Sequence, residues 1–422
     1  MNQKLLNLPN NLKILSTRLA GARSVTVLVL VRAGSRYEEK KTNGIAHFAE
    51  HMFFKGTKKR PTTLEISSLI DGIGGEFNAF TSKEYTGYYI KASTKHISLS
   101  LDVLSDMLTN SKFDQVEIDR ERGVIFEELR MYLDTPVRYI GDVYEQLLYG
   151  DQPLGWDIIG TPQSLININR NDFFKFKDLY YAPENTLVSI AGGISHDDVR
   201  QIADKYLGGL KHKKTATYKP VKVSQGQPAV KLVNKKTEQA HFCLGVRAYP
   251  RRHKNHYKVA VLNAILGSSM SSRLFIQLRE RRGLAYYVRS SFEEYHDVGS
   301  FVAQAGVTPK KIGEAVKIVI AEFAKISQES VGGEELKKAK EHIKGRLVLE
   351  LEDSREVASL FGTQQLLEGK VRTTDEMFKK VDEVTESDIQ KVASDIFKNK
   401  GLNLAIIGPY KDEAKFEKIL KL

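Results

Sequence analysis

Residues 44–57 read GIAHFAEHMFFKGT, and they place His47, Glu50 and His51 within five positions of what is otherwise an apolar helix. Successive helical residues turn by about 100°, so the three side chains fall within roughly 100° of arc on one face. Two imidazoles one turn apart can each reach a Zn²⁺ ion at about 2.0–2.1 Å, leaving the intervening carboxylate beside the ion's open position. The order is reversed relative to the commoner His-Glu-x-x-His pattern. The chemistry implied is metal-assisted hydrolysis, set against a plainer reading of two surface histidines and an unrelated glutamate.

A catalytic zinc takes a third protein ligand and keeps a position for water. DQVEIDRERGVIFEELRMYLD, residues 114–134, offers one. Ile118, Ile125, Leu129 and Tyr132 recur at the helical period and define an inward stripe. Glu121 and Glu128 project together and flank that stripe, whereas Glu127 points to the other side. A carboxylate edging an apolar face is costly unless paired or coordinated. Periodicity therefore selects Glu128 over Glu127 as a ligand, and places Glu121 where it can hydrogen-bond a ligand histidine. An ordinary amphipathic helix with boundary glutamates is the alternative.

The elements that must position these residues follow from local pattern. Residues 12–16 and 24–33 are β-rich, and the short polar segment between them suits a hairpin. The motif helix is predicted to start at Thr42 and Asn43 and to end at Gly56. Thr62 and Glu65 form a capping box leading into LEISSLID. GIGG is a tight turn, lacking the glycine spacing of a dinucleotide fingerprint, and a hairpin follows it. Helices are predicted near 96–110 and 114–134. Residues 208–228 are poor in large apolar side chains and rich in Lys, Gly, Thr and Pro, which predicts a linker at 210–228 between domains at 1–209 and 229–422. Beyond it the order restarts: strands in AVKLVNKK and AHFCLGVRAY, a helix in HYKVAVLNAILG, then two more strands. A duplicated α+β unit is the fold class this implies, two similar domains each with a mostly antiparallel sheet packed by helices.

The chain has 422 residues, 41% of them hydrophobic and 27% charged, enough for two or more packed cores. The net charge of +12 comes from Lys and Arg interspersed with 52 acids, with no long basic block, so a nucleic-acid partner is not expected. The single Cys243 excludes an internal disulfide and a multi-cysteine zinc site. No signal peptide, transit helix or membrane-spanning run is evident, and a cytoplasmic, bacterial protein without a membrane partner is the expectation.

HFAEH, with Glu128 following after 76 intervening residues in RERGVIFEEL, resembles the pitrilysin and insulinase-type inverted zinc metallopeptidases, which include mitochondrial processing peptidase. The resemblance covers nearly the whole chain. It implies a processing-peptidase-like fold, one Zn²⁺ per protomer held by His47, His51 and Glu128, Glu50 as general base, and Glu121 as a further acidic site position. GGEFNAFTSKEYTGYY resembles the family's edge strand beside the zinc, which implies that Asn78, Ala79, Phe80 and Thr81 bind substrate as an added strand. In FIQLRERRGLAYYV, Arg279 and Tyr286 match a pair that in the family binds substrate and steadies the tetrahedral intermediate. The substrate implied is a peptide or unfolded polypeptide cut in a closed chamber. Family members of double length carry the zinc and the Arg/Tyr pair in different halves, which implies here a homodimer whose protomers complete each other's sites. A non-catalytic scaffold or partner subunit of the same family is the alternative. LGSSMSSRLF holds only Gly267 where an inactive processing subunit has a long glycine-rich loop.

Overall fold

The computed structural model describes residues 2–211 and 215–422; Met1 and residues 212–214 of the expected linker lie outside the described residues. The chain forms two compact units, one of residues 1–130, 156–219 and 348–373, the other of residues 131–155, 220–347 and 374–422.

In the first unit, β1 (Asn2–Asn7), β2 (Lys13–Arg18), β3 (Ser24–Val31), β4 (Glu76–Thr81), β5 (Thr86–Ser93) and β6 (Thr186–Gly192) build one sheet in the order β1-β2-β6-β3-β5-β4. Only β2 and β6 run parallel. The predicted hairpin of residues 12–16 and 24–33 is not formed: β6 inserts between β2 and β3 and pairs with both. β3 is buried on both faces from Val25 to Val31, so it needs a neighbour on each side, and the strand that fills the gap arrives far along the chain. β1, which had no counterpart in the sequence reading, extends the sheet beside β2.

Alternation divides β3 between two layers. Val25, Val27, Val29 and Val31 join a core with α1 (Ile45–Phe53), α2 (Thr63–Asp71), α3 (Ile97–Asn110) and α4 (Gln115–Leu133). The opposite face receives the helix Ser354–Glu368, where Thr26 Oγ1 lies 2.8 Å from Ser354 Oγ and Ser189 Oγ donates to the Ala358 carbonyl at 2.8 Å. The helix sits so close that a Cβ at Gly362 would be 2.8 Å from a Leu30 methyl.

The second unit repeats the plan with β7 (Ala229–Asn234), β8 (Ala240–Ala248), β9 (Ala285–Glu294), β10 (Gly299–Val307) and β11 (Asn403–Gly408), in the order β7-β11-β8-β10-β9. Here β7 and β11 are the parallel pair. Helices His256–Gly267 and Ile312–Gln328 pack on one face. The other face is covered by α5 (Pro136–Tyr149), whose Ile140, Val143, Tyr144 and Leu148 meet Cys243, Ala405 and Ile407.

Each sheet thus takes one covering helix from the far side of the linker in sequence. A linear division at 210–228 places α5 with the first sheet and Ser354–Glu368 with the second, whereas the packing exchanges them. A sheet's second apolar face must be covered by something, but periodicity within a helix does not say which sheet it covers. The mostly antiparallel sheets packed by helices agree with the expected fold class. Among the described residues no helix is long and apolar enough to cross a membrane.

Candidate metal centre

α1 presents the motif. Its buried residues Ile45, Ala46, Phe48, Ala49, Met52 and Phe53 fix the face that enters the core, which leaves His47, Glu50 and His51 on the partly accessible side. Its start differs from the predicted one. Thr42 belongs to a separate short turn and Asn43 does not cap the helix through its side chain; the N-cap is Gly44, whose φ of 95° suits glycine. The orphan amides are satisfied from outside the helix. Glu38 Oε2 accepts from Gly44 N and Oε1 from Ala46 N, both at 2.8 Å, and Asn43 Nδ2 donates to Oε2 at 2.8 Å. Burial pushes the Glu38 carboxyl up to about 8 despite these donors and the charge of Lys83.

α4 lies across from this face. Ile118, Ile125 and Leu129 are buried as the stripe requires, with Tyr132 at its margin. Glu127 is exposed and pairs with Arg130, so the choice of Glu128 over Glu127 agrees with the side each occupies. His47 Nε2 and His51 Nε2 lie 3.3 Å apart, and Glu128 Oε2 is 3.6 Å from the first and 3.7 Å from the second. Two imidazole nitrogens this close cannot both present lone pairs to each other without repulsion. A tetrahedral ion bonded at about 2.0–2.1 Å spaces its donors about 3.4 Å apart, so the three residues fit a zinc-sized ion. Among the described residues, His47, His51 and Glu128 are the one set of three such side chains able to converge on a cation.

The surrounding groups differ in role. Glu121, nearly buried, accepts from His51 Nδ1 at 2.8 Å through one oxygen and from Lys55 Nζ at 2.6 Å through the other. That contact fixes the His51 tautomer with Nε2 bare. His47 Nδ1 is buried without a protein partner. Burial, helped by the charge of His51 and opposed by Glu121, holds the His47 imidazole down at about 3, the neutral form a ligand needs. For His51, burial is outweighed by the hydrogen bond to Glu121 and the charges of Glu50, Glu121 and Glu128, which raise it. Burial of Glu121 is likewise outweighed, by the hydrogen bonds from His51 and Lys55, and its carboxyl is lowered. Glu128 is raised by burial, with Glu121 adding and His51 opposing.

Glu50 points the same way as the two imidazoles. Its Oε2 accepts a 2.5 Å hydrogen bond from Thr81 Oγ1 at the end of β4. Burial raises its carboxyl above the ordinary range, with Thr81 and His51 opposing and Glu128 adding. β4 is an edge strand of its sheet, with Asn78, Ala79, Phe80 and Thr81 opposite Tyr89, Tyr88, Gly87 and Thr86 of β5. Its outer backbone edge has no strand partner among the described residues.

Arg279 and Tyr286 belong to the second unit. Arg279 lies in a π-helical turn, Ile276–Glu280, with its guanidinium 5.1 Å from the Phe275 ring and 5.9 Å from that of Tyr286. Tyr286 is the second residue of the edge strand β9 and is 74% exposed. The spacing of the two thus brings them beside one another. Sequence reasoning missed Lys55, although its place one turn after His51 was a usable signal, and Glu38, for which no local pattern exists.

Comparison with known proteins adds an independent line. A family model described as Insulinase (Peptidase family M16) matches residues 13–162, and one described as Peptidase M16 inactive domain matches residues 167–343. The chain is 37% identical to the uncharacterized zinc protease YmxG of Bacillus subtilis, over 95% of this chain and 97% of that one. It is 36% identical to an uncharacterized zinc protease of Streptomyces coelicolor, over 96% and 89%. A protease from Helicobacter pylori of known crystal structure superposes with a TM-score of 0.91 at 27% identity, covering 97% of this chain and 99% of that one.

Proposed function

Since the chain belongs to the M16 peptidase family, typified by insulinase, we propose that it is a zinc-dependent endopeptidase acting on peptides and unfolded polypeptide segments. The observation that carries this reading is the convergence of His47 Nε2, His51 Nε2 and Glu128 Oε2 beside a half-buried Glu50 that Thr81 holds through one oxygen. His47, His51 and Glu128 would hold the ion. When bound, zinc supplies Lewis acidity that brings a water's pKa toward neutrality.

Glu50 is the general base: its Oε1 is free of the Thr81 contact and takes a proton from the attacking water, then passes it to the departing nitrogen. Thr81 holds the carboxylate in place for both transfers. The open edge of β4 receives the substrate as an added antiparallel strand, with Asn78 to Thr81 supplying main-chain hydrogen bonds. Arg279 and Tyr286 of a second copy donate to the developing oxyanion in a closed chamber, which makes the working form a homodimer.

The test combines metal analysis of the purified protein with cleavage of a quenched peptide, with and without chelator. Zinc-dependent cleavage, lost in Glu50→Gln with zinc retained, supports the reading. A chain that holds zinc and cuts no peptide is instead the scaffold subunit.

A further inference from the structure

Lys55 stands just beyond the end of α1, one turn after His51, and its ammonium reaches Glu121 Oε2 at 2.6 Å while Glu121 Oε1 takes the His51 Nδ1 hydrogen bond at 2.8 Å. The carboxylate is nearly buried, with one oxygen committed to each partner. Neither oxygen can then turn toward the other partner without breaking a charge-assisted hydrogen bond.

We infer that Lys55 is a positioning residue for the metal centre, acting through Glu121 to hold the His51 ring at the angle that aims Nε2 at the ion. The inference rests on the zinc reading above and adds a residue outside the ligand set. Two features support it. A buried carboxylate requires a compensating charge, and Lys55 supplies one from the turn that directly follows the histidine helix, whether or not an ion is present. The arrangement is also one-sided: His51 has a chain of partners behind it, whereas His47 Nδ1 has none in the protein. His47 is oriented by packing, being 13% exposed in its side chain, and His51, at 22%, is oriented by the hydrogen bond. Loss of Lys55 frees the carboxylate to rotate, and the imidazole with it.

The experiment is a chelator-competition titration of the full chain with Zn²⁺, on the parent and on Lys55→Met, Lys55→Gln and Lys55→Arg. Removing a hydrogen-bonding partner behind a ligand histidine typically weakens metal binding about 10- to 100-fold, and the lower end is expected for Lys55→Met, one step further out. Lys55→Gln, which keeps a donor but no charge, falls between that variant and the parent. Lys55→Arg restores affinity to within about threefold, because a guanidinium can serve the same oxygen. Loading with Co²⁺ gives a second readout: a changed visible absorption band in Lys55→Met reports altered ligand geometry. A merely structural role would lower the unfolding midpoint of the metal-free variant and leave its zinc affinity and cobalt spectrum unchanged, which overturns the inference. If Lys55→Met does not fold, parent-like affinity in Lys55→Gln overturns it equally. A parent chain with no affinity for Zn²⁺ refutes the zinc reading and this inference together, whereas tight binding by both parent and Lys55→Met refutes the inference alone.

Discussion

The two units share the order of five strands, yet each ties a helix of its strand-to-strand crossover to the second long helix that follows by different means. In the first, a helix between β3 and β4 faces the second long helix after β5 through His47, His51 and Glu128, donor atoms that need a cation between them. In the second, the short helix Arg273–Phe275 between β8 and β9 meets the helix Gly333–Glu350 through a bidentate ion pair, Arg273 Nε and Nη2 to Glu335 at 2.9 and 2.7 Å. Lys338 Nζ adds a bond to the Ser271 carbonyl at 3.0 Å. That pair carries its own compensating charge, with only Arg273 Nη1 of the guanidinium left buried without a hydrogen-bond partner. The difference teaches where chemistry can reside: a joint that is satisfied within the protein is structural, and one that is satisfied only by an added ion is available for catalysis.

The largest effect that would break this contrast is on turnover. Glu50→Gln should lower peptide cleavage by about 10³-fold, within the range for loss of a general base, with zinc content unchanged; retained cleavage contradicts the assignment. Next comes the ion itself. At about 1,000 times its dissociation constant, a bound ligand stabilises a fold by about 4 kcal/mol. Chelation should therefore lower the melting temperature of the parent and leave that of Glu128→Gln, which loses a ligand, nearly unmoved. Calorimetry with and without chelator checks this.

The reverse experiment is smaller. Arg273→Met strands a partly buried Glu335 and should cost about 2 kcal/mol in chemical unfolding, without altering zinc affinity. A change in zinc affinity there would mean that the two joints are coupled.

The last effect is a pH slope set by one carboxyl of the first unit. Glu38 is buried, and its carboxyl is raised to about 8. A folded-state pKa above the ordinary 4.5 means that the native chain binds the proton more tightly than the unfolded one. Stability from Glu38 is therefore fully present below about pH 4.5 and is lost as pH rises through about 8. Glu38→Gln should remove up to about 1.4 kcal/mol per pH unit of that slope, measured as urea unfolding at successive pH values. An unchanged slope contradicts the raised pKa.

Legibility in the sequence followed the range of the interaction. The capping box at Thr62 and Glu65 forms as read, because both partners lie within one turn. The helix His256–Gly267 and the two strands before it match their apolar runs. Glu128 could be preferred over Glu127 because helical periodicity alone separates their faces. What failed was long-range or external. β6 displaces a hairpin that local pattern favoured, α5 and Ser354–Glu368 exchange sheets, and the cap of α1 comes from Glu38 across a turn, where the neighbouring Thr42 and Asn43 gave the stronger local signal.

The central claim is that two imidazoles of α1 and one carboxylate of α4 bind a single ion. Anomalous diffraction from zinc-loaded crystals, recorded on both sides of the zinc absorption edge, tests it most directly. The account predicts one peak per chain, about 2.0–2.2 Å from His47 Nε2, His51 Nε2 and a Glu128 oxygen. A chain with no peak there, or with its zinc held by other side chains, would contradict it.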